Sequence, residues 1–162
     1  MMSLIKEYKL PNEFPENVLA EARAIPQVID EKNIEKRVDL RNEEIFTIDG
    51  EDAKDLDDAV NVKKNDDGTY TLGVHIADVS YYVKSGSKLD KEAITRGTSI
   101  YMMDRVIPML PKELSNGICS LNEQKDRFAM SVIMKINEKG KVVDADIFKS
   151  VFDNLYLFNS KS

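Results

Sequence analysis

Asp58-Ala59-Val60-Asn61-Val62-Lys63-Lys64-Asn65-Asp66-Asp67-Gly68-Thr69-Tyr70-Thr71-Leu72-Gly73-Val74-His75-Ile76-Ala77-Asp78-Val79 decides the fold of this chain. Asp58 to Lys64 alternates apolar and polar side chains, the period of a strand with one buried face. Asn65-Asp66-Asp67-Gly68 supplies the residues of a hairpin turn, and Thr69 to Val79 returns as a long strand. Further on, Phe128 to Ile136, the turn Asn137-Glu138-Lys139-Gly140 and Val142 to Phe152 form a second hairpin by the same reading. Ser99 to Met103 reads as a short strand, and Lys112 to Asn116 as one helical turn. Helical spacing appears in Pro11 to Ala24, with Asn12 as a cap and Pro26 as a stop, in Asp30 to Arg37, and in Leu89 to Arg96, which Gly97 closes. The expected class is α+β: a mixed, mostly antiparallel sheet with flanking helices.

Just upstream of the first hairpin lies Thr47-Ile48-Asp49-Gly50-Glu51-Asp52-Ala53-Lys54-Asp55-Leu56-Asp57-Asp58-Ala59-Val60, in which six of fourteen residues are acidic. Crowded carboxylates repel, so folding them together costs stability unless a cation neutralises them. Hard cations such as Mg²⁺ take oxygen ligands, commonly a few carboxylates with water and phosphate. Two such ions close together are a standard means of cleaving a phosphodiester. An acidic run is more often a solvated loop. Three features count against that here. Apolar β-type residues flank the run on both sides, loops between buried strands are favoured places for function, and Lys54 is the one base inside. A calcium loop of the EF-hand kind does not fit, because Gly50 directly follows the first Asp.

The chain has 162 residues, enough to bury a single core. Its net charge of −6 argues against a plain electrostatic nucleic-acid binder, which should be basic, but not against a nuclease that uses carboxylates. It contains no apolar run near the length of a membrane span, so no membrane association is expected. Cys119 is the single cysteine, which excludes an intrachain disulfide and suits a reducing cytoplasm. With Ile118 and Leu121 nearby, it reads as buried rather than nucleophilic. Met1-Met2-Ser3-Leu4 reads as an expression leader.

These stretches together resemble the first part of the RNB catalytic domain of the ribonuclease II/ribonuclease R family, and ribonuclease R most of all. The resemblance runs from about Arg37 to Val151, with weaker similarity back to about Phe14. Besides the acidic stretch it rests on Gly73-Val74-His75-Ile76-Ala77-Asp78-Val79-Ser80, Arg96-Gly97-Thr98-Ser99-Ile100-Tyr101, Asp104-Arg105-Val106-Ile107-Pro108-Met109-Leu110-Pro111 and Leu114-Ser115-Asn116-Gly117-Ile118-Cys119-Ser120-Leu121-Asn122. It implies a processive 3′→5′ exoribonuclease that hydrolyses single-stranded RNA to nucleoside 5′-monophosphates with Mg²⁺, or with Mn²⁺ in its place. The family's four catalytic aspartates fall on Asp49, Asp55, Asp57 and Asp58. By the resemblance, Asp49 and Asp58 would hold the first ion. Asp57, or Asp55 with it, would place the second ion or orient the water, and the division between those two stays open. Asp52 is acidic but not one of the four. Tyr101 matches the tyrosine that stacks on the 3′-terminal nucleotide, an interaction that suits any base; the competing reading packs it between strand and sheet.

Several residues keep two readings. His75, the single histidine, alternates with Val74 and Ile76 and reads as structural rather than as an acid–base group. Arg96, Arg105 and Arg127 could touch phosphate or form surface ion pairs. The pairs Met102-Met103 and Met109-Leu110 read as core. The expected organisation is a helical lead-in over 1–36, the N-terminal part of an RNB domain over 37–152, and a tail over 153–162 that does not match the family. The family's later Thr-Ser-Pro-Ile-Arg-Arg-Tyr stretch has no counterpart here. The partners implied are single-stranded RNA, the C-terminal half of the domain and flanking OB-type domains. Weak or no activity is expected of this piece alone, and apolar surface left uncovered could drive self-association. A non-catalytic module that binds a cation or a partner is the competing class.

Overall fold

The structure is a computed structural model that describes residues 5, 7–153 and 156–159. The expected leader, Met1 to Leu4, lies outside the described residues. Strands β1 (Val38–Asp39), β2 (Phe46–Asp49), β3 (Asp58–Lys64), β4 (Tyr70–Ala77), β7 (Asp126–Ile136), β8 (Val142–Asp153) and β9 (Tyr156–Asn159) form one sheet in the order β1-β8-β7-β4-β3-β2-β9. Its four central pairings are antiparallel, and the edge strands β1 and β9 run parallel to β8 and β2. The ribbon β5 (Ile100–Tyr101) and β6 (Val106–Ile107) stands apart. Helices α1 (Glu16–Arg23), α2 (Val79–Tyr82) and α3 (Lys88–Arg96) flank the sheet, with a 3₁₀ segment at Glu31–Lys36 and a π-turn at Glu113–Ile118. The class is α+β with a mostly antiparallel sheet, as expected.

Both hairpins form as their alternation requires, and the register carries side-chain character across three strands. Val60 faces Val74, which faces Val132; on the opposite face Ala59 pairs with His75, which pairs with Ser131. The Ala59–His75–Ser131 face is buried, under a core of Ile45, Leu56, Ala59, Ala77, Leu121, Ala129 and Phe152. The valine face stays open: Val62 and Ile76 on it are exposed. A second core joins Val18 and Ala22 of α1 and Leu89 of α3 to Leu110, Leu114, Ile118 and Cys119.

Several expected boundaries move. α1 begins at Glu16 rather than near Pro11, because Pro15 disfavours helical geometry at Phe14; Pro15, not Asn12, stands at the N-cap. The returning strand ends at Ala77, where Asp78 starts the short α2. The strand expected over Ser99 to Met103 is only Ile100–Tyr101, and Met103, read as core, is 98% exposed at the tip of the ribbon. α3 closes on Gly97 with φ of 74°, a conformation that glycine adopts without strain.

A charged pair is buried where the helical lead-in meets the sheet. The Arg37 guanidinium donates to Asp78 at 2.6 Å, with the two side chains 3% and 1% exposed. It also donates to the carbonyls of Ala129 and Ser150 and lies over the Phe128 ring at 4.0 Å. Burial works to raise the Asp78 carboxyl, but hydrogen bonds from Arg37 and Ser80 prevail and hold it below its ordinary value.

Candidate active site

The acidic stretch spans the end of β2, a loop, and the start of β3, and its shape is set by one apolar residue. Leu56 is buried between Asp55 and Asp57, and burying such a side chain is worth about 1.5–3 kcal/mol. Distant backbone fastens the loop around it. The Ser120 hydroxyl accepts from the Leu56 N–H at 3.1 Å and donates to the Lys54 carbonyl at 2.9 Å. The Leu121 N–H donates to the Leu56 carbonyl, and the Ala77 N–H donates to the Asp57 carbonyl, each at 2.9 Å. With Leu56 turned inward, Asp57 and Asp58 are left exposed, and Asp49 and Asp55 are half-buried.

Electrostatics tie the four aspartates together. Burial pushes the Asp49 carboxyl above its ordinary value, the Thr47 hydroxyl pulls it back, and the charges of Asp58 and Asp55 push it up again. Asp57 is exposed at its surface, yet partial desolvation raises it too, and Asp55, Asp58 and Asp49 all add to the rise. For Asp49 and Asp57, burial first and then the charge of acidic neighbours favour the neutral form, and a bound cation would oppose both effects. All-oxygen donors of this kind suit a hard divalent ion. Among the described residues, however, no three carboxylate, histidine or cysteine groups lie close enough together to hold one. The donor chemistry fits Mg²⁺; the donors stand apart.

Two cavities share Asp55 and Ser115 in their linings. One, of about 330 Å³, is lined by Asp55, Asp57, Tyr101 and Ser99 over an apolar floor that includes Val79 and Leu110. The other, of about 340 Å³, has Asp52, Lys54, Asp104, Arg105 and Lys112 around it, together with Asp55. Tyr101 is 63% exposed and is not packed between strand and sheet. Its hydroxyl donates to the Asp55 carboxylate, and that bond pushes the phenol up to about 12. The structure thus brings Asp55, Asp57 and Tyr101 to one pocket, while Asp49 and Asp58 reach the group through their charge.

The arginines divide. Arg127 is buried, with its Nε donating to the Ser120 carbonyl at 2.7 Å and one Nη to Gly117. It braces the segment that holds the acidic loop and is neither a surface ion pair nor open to phosphate. Arg96 is turned inward as well, donating to Glu92 and to the carbonyls of Pro11, Glu13 and Pro108 over the Phe14 ring. Arg105 pairs with Asp104 at 2.9 Å on the wall of the second cavity. His75 is fully buried between Ser131 at 2.7 Å and Asn61 at 3.2 Å, and burial lowers it to about 4, so it is a neutral structural group. Burial raises the Cys119 thiol to about 12, which leaves it unreactive. Sequence reasoning missed the Ser120 clasp and the Arg37–Asp78 pair. Asp78, set in the apolar run Ile76-Ala77-Asp78-Val79, was the available signal for the latter.

The family model of the RNB domain matches residues 37–161. The chain belongs to the RNB family. Within it the chain is closely related to ribonuclease R. It is 59% identical over 151 residues to the ribonuclease R of Thermotoga maritima, covering 92% of this chain and 21% of that protein. It is 52% identical to ribonuclease R 1 of Lactococcus lactis, covering 93% of this chain and 18% of the relative. The chain thus spans about a fifth of the length of these relatives. Among solved structures, Mycoplasma genitalium RNase R in complex with ribose methylated single-stranded RNA superposes with a TM-score of 0.92 at 29% identity, covering 98% of this chain and 24% of that one.

Proposed function

We propose that this chain is the carboxylate-bearing part of a processive, cytoplasmic 3′→5′ exoribonuclease that hydrolyses single-stranded RNA to nucleoside 5′-monophosphates. The observation that carries this reading is the meeting of Asp55, Asp57 and the open Tyr101 ring at one pocket. An exposed aromatic face beside a carboxylate cluster takes the terminal base by stacking and sets the last phosphodiester near the acids, without reading sequence. By the family resemblance, Asp49 and Asp58 would hold one Mg²⁺, or Mn²⁺ in its place, and Asp57, or Asp55 with it, would place a second ion or orient the water; among the described residues, the carboxylates as they stand do not gather three around one point. A divalent ion bound there would lower the pKa of the attacking water and offset charge on the leaving 3′ oxygen. The chain's own part is to hold these carboxylates by the Leu56–Ser120 fastening and to seat the RNA end on Tyr101. The rest of the RNB domain and flanking OB-type domains would complete the grip on RNA, which a chain of net charge −6 does not supply electrostatically.

The separation of the aspartates favours a second reading, a module without chemistry. A chimera separates the two. This chain replaces the matching 151 residues of the Thermotoga maritima ribonuclease R, and poly(A) is offered with Mg²⁺. Stepwise release of AMP from the 3′ end supports the exoribonuclease. A folded, RNA-binding chimera that releases nothing supports the module.

A further inference from the structure

Asp55 is held at both of its ends. On the backbone side, the Ser120 hydroxyl clasps the Lys54 carbonyl and the Leu56 N–H, the groups that flank it, and the buried Leu56 keeps the loop from sliding. Only the side chain is left to turn. Its carboxylate accepts the hydroxyl of Tyr101. Tyr101 in turn sits on a fastened ribbon: Ile100 and Tyr101 pair with Ile107 and Val106, the Met102 N–H donates to the Arg105 carbonyl, and the Met109 N–H donates to Ser99. The Tyr101 ring remains 63% exposed while its hydroxyl is engaged. Asp55, like Ser115, lines both cavities.

We propose that Tyr101 is a positioning residue for Asp55: its hydroxyl sets the carboxylate that lines both cavities while its ring receives the terminal base. Seating the RNA end and placing Asp55 are then one event, because both act through the same side chain. The inference rests on the exoribonuclease reading and adds to it a role for the hydroxyl, which stacking does not require. Stacking alone would be served as well by phenylalanine.

Tyr101→Phe tests this at an exposed position, where removing one oxygen leaves the fold intact. In the chain itself, the side-chain ¹³C resonance of the Asp55 carboxylate is expected to shift in Tyr101→Phe while that of Asp52 stays in place. In the chimera with Thermotoga maritima ribonuclease R, Tyr101→Phe is expected to lower kcat on poly(A) by roughly ten- to a hundredfold with KM unchanged, the size expected for one hydrogen bond to a charged group. Tyr101→Ala is expected to raise KM as well, because the ring is lost. A working chimera in which Tyr101→Phe matches the parent in kcat, with an unmoved Asp55 resonance, overturns the proposal and leaves the exoribonuclease reading standing. A chimera with Tyr101 intact that hydrolyses nothing overturns that reading, and the proposal with it.

Discussion

The hydroxyl of Ser120 accepts the backbone N–H of Leu56 at 3.1 Å, across 64 residues of chain. That bond, returned by the Ser120 hydroxyl to the Lys54 carbonyl, fixes the loop on which Asp55 and Asp57 stand. Ser120→Ala leaves a buried N–H without a partner and is expected to destabilise the chain by about 1–3 kcal/mol in a urea titration. Amide exchange at Leu56 should rise beyond what the global change explains.

Arg37 and Asp78 are the buried charges on which the sheet's start depends. Asp78→Ala strands the guanidinium and is expected to cost about 3–5 kcal/mol, more than any exposed pair would. The Asp78 carboxyl is depressed in the fold. Its contribution is therefore present above the ordinary carboxylate range and lost as pH falls through the lowered value. Stability followed against pH in the parent and in Asp78→Asn checks this, and the acid loss should shrink in the variant.

His75 works over a different range. It stays neutral in the fold to about 4, whereas the unfolded chain charges near 6.5. The unfolded state therefore takes up protons first, and stability should fall as pH drops from 6.5 toward about 4. Gly73 permits the histidine's contact with Asn61: a Cβ at position 73 would lie 1.9 Å from Asn61 Oδ1 and 2.8 Å from His75 Nε2. Gly73→Ala is expected to destabilise by about 1–3 kcal/mol and to narrow that pH dependence, both read by thermal melts across the range.

The acidic loop carries the opposite sign. Asp57 is raised by desolvation and by its acidic neighbours, so its charge opposes folding above the raised value and ceases to do so as acid protonates it. Asp57→Asn is expected to stabilise the chain at neutral pH, by less than about 1 kcal/mol because the group is exposed. The gain should vanish below the ordinary carboxylate value. A variant that is less stable at neutral pH would show that Asp57 is already neutralised.

How much of this was legible in the sequence depends on the distance between partners. The two hairpins were readable because alternation and turn residues are local, and β3 pairs with β4 throughout the expected stretch. The end of α3 was readable because Gly97 is adjacent to it. The acidic loop stood out by composition, but its fastening came from Ser120, too far along the chain for any pattern to reveal. Arg96 and Arg127 were read as surface or phosphate contacts because a charged residue carries no local mark of burial. Their acceptors are backbone carbonyls, which every residue has. Met103 failed for the converse reason: an apolar side chain at the tip of a two-residue ribbon has nothing to pack against. The spacing of the aspartates along the chain also says nothing about whether their carboxylates converge.

In the proposed exoribonuclease, particular carboxylates in the loop, and not its acidity in general, would perform hydrolysis. Single-turnover release of AMP from poly(A), in the chimera carrying Asp57→Asn or Asp52→Asn, tests it most directly. The expected result is a loss of about a hundredfold or more for Asp57→Asn, as for removal of a group that holds the metal or the transition state, with Asp52→Asn close to the parent. An Asp57→Asn chimera as fast as the parent, or an equal loss in both variants, would show that Asp57 has no specific part in hydrolysis.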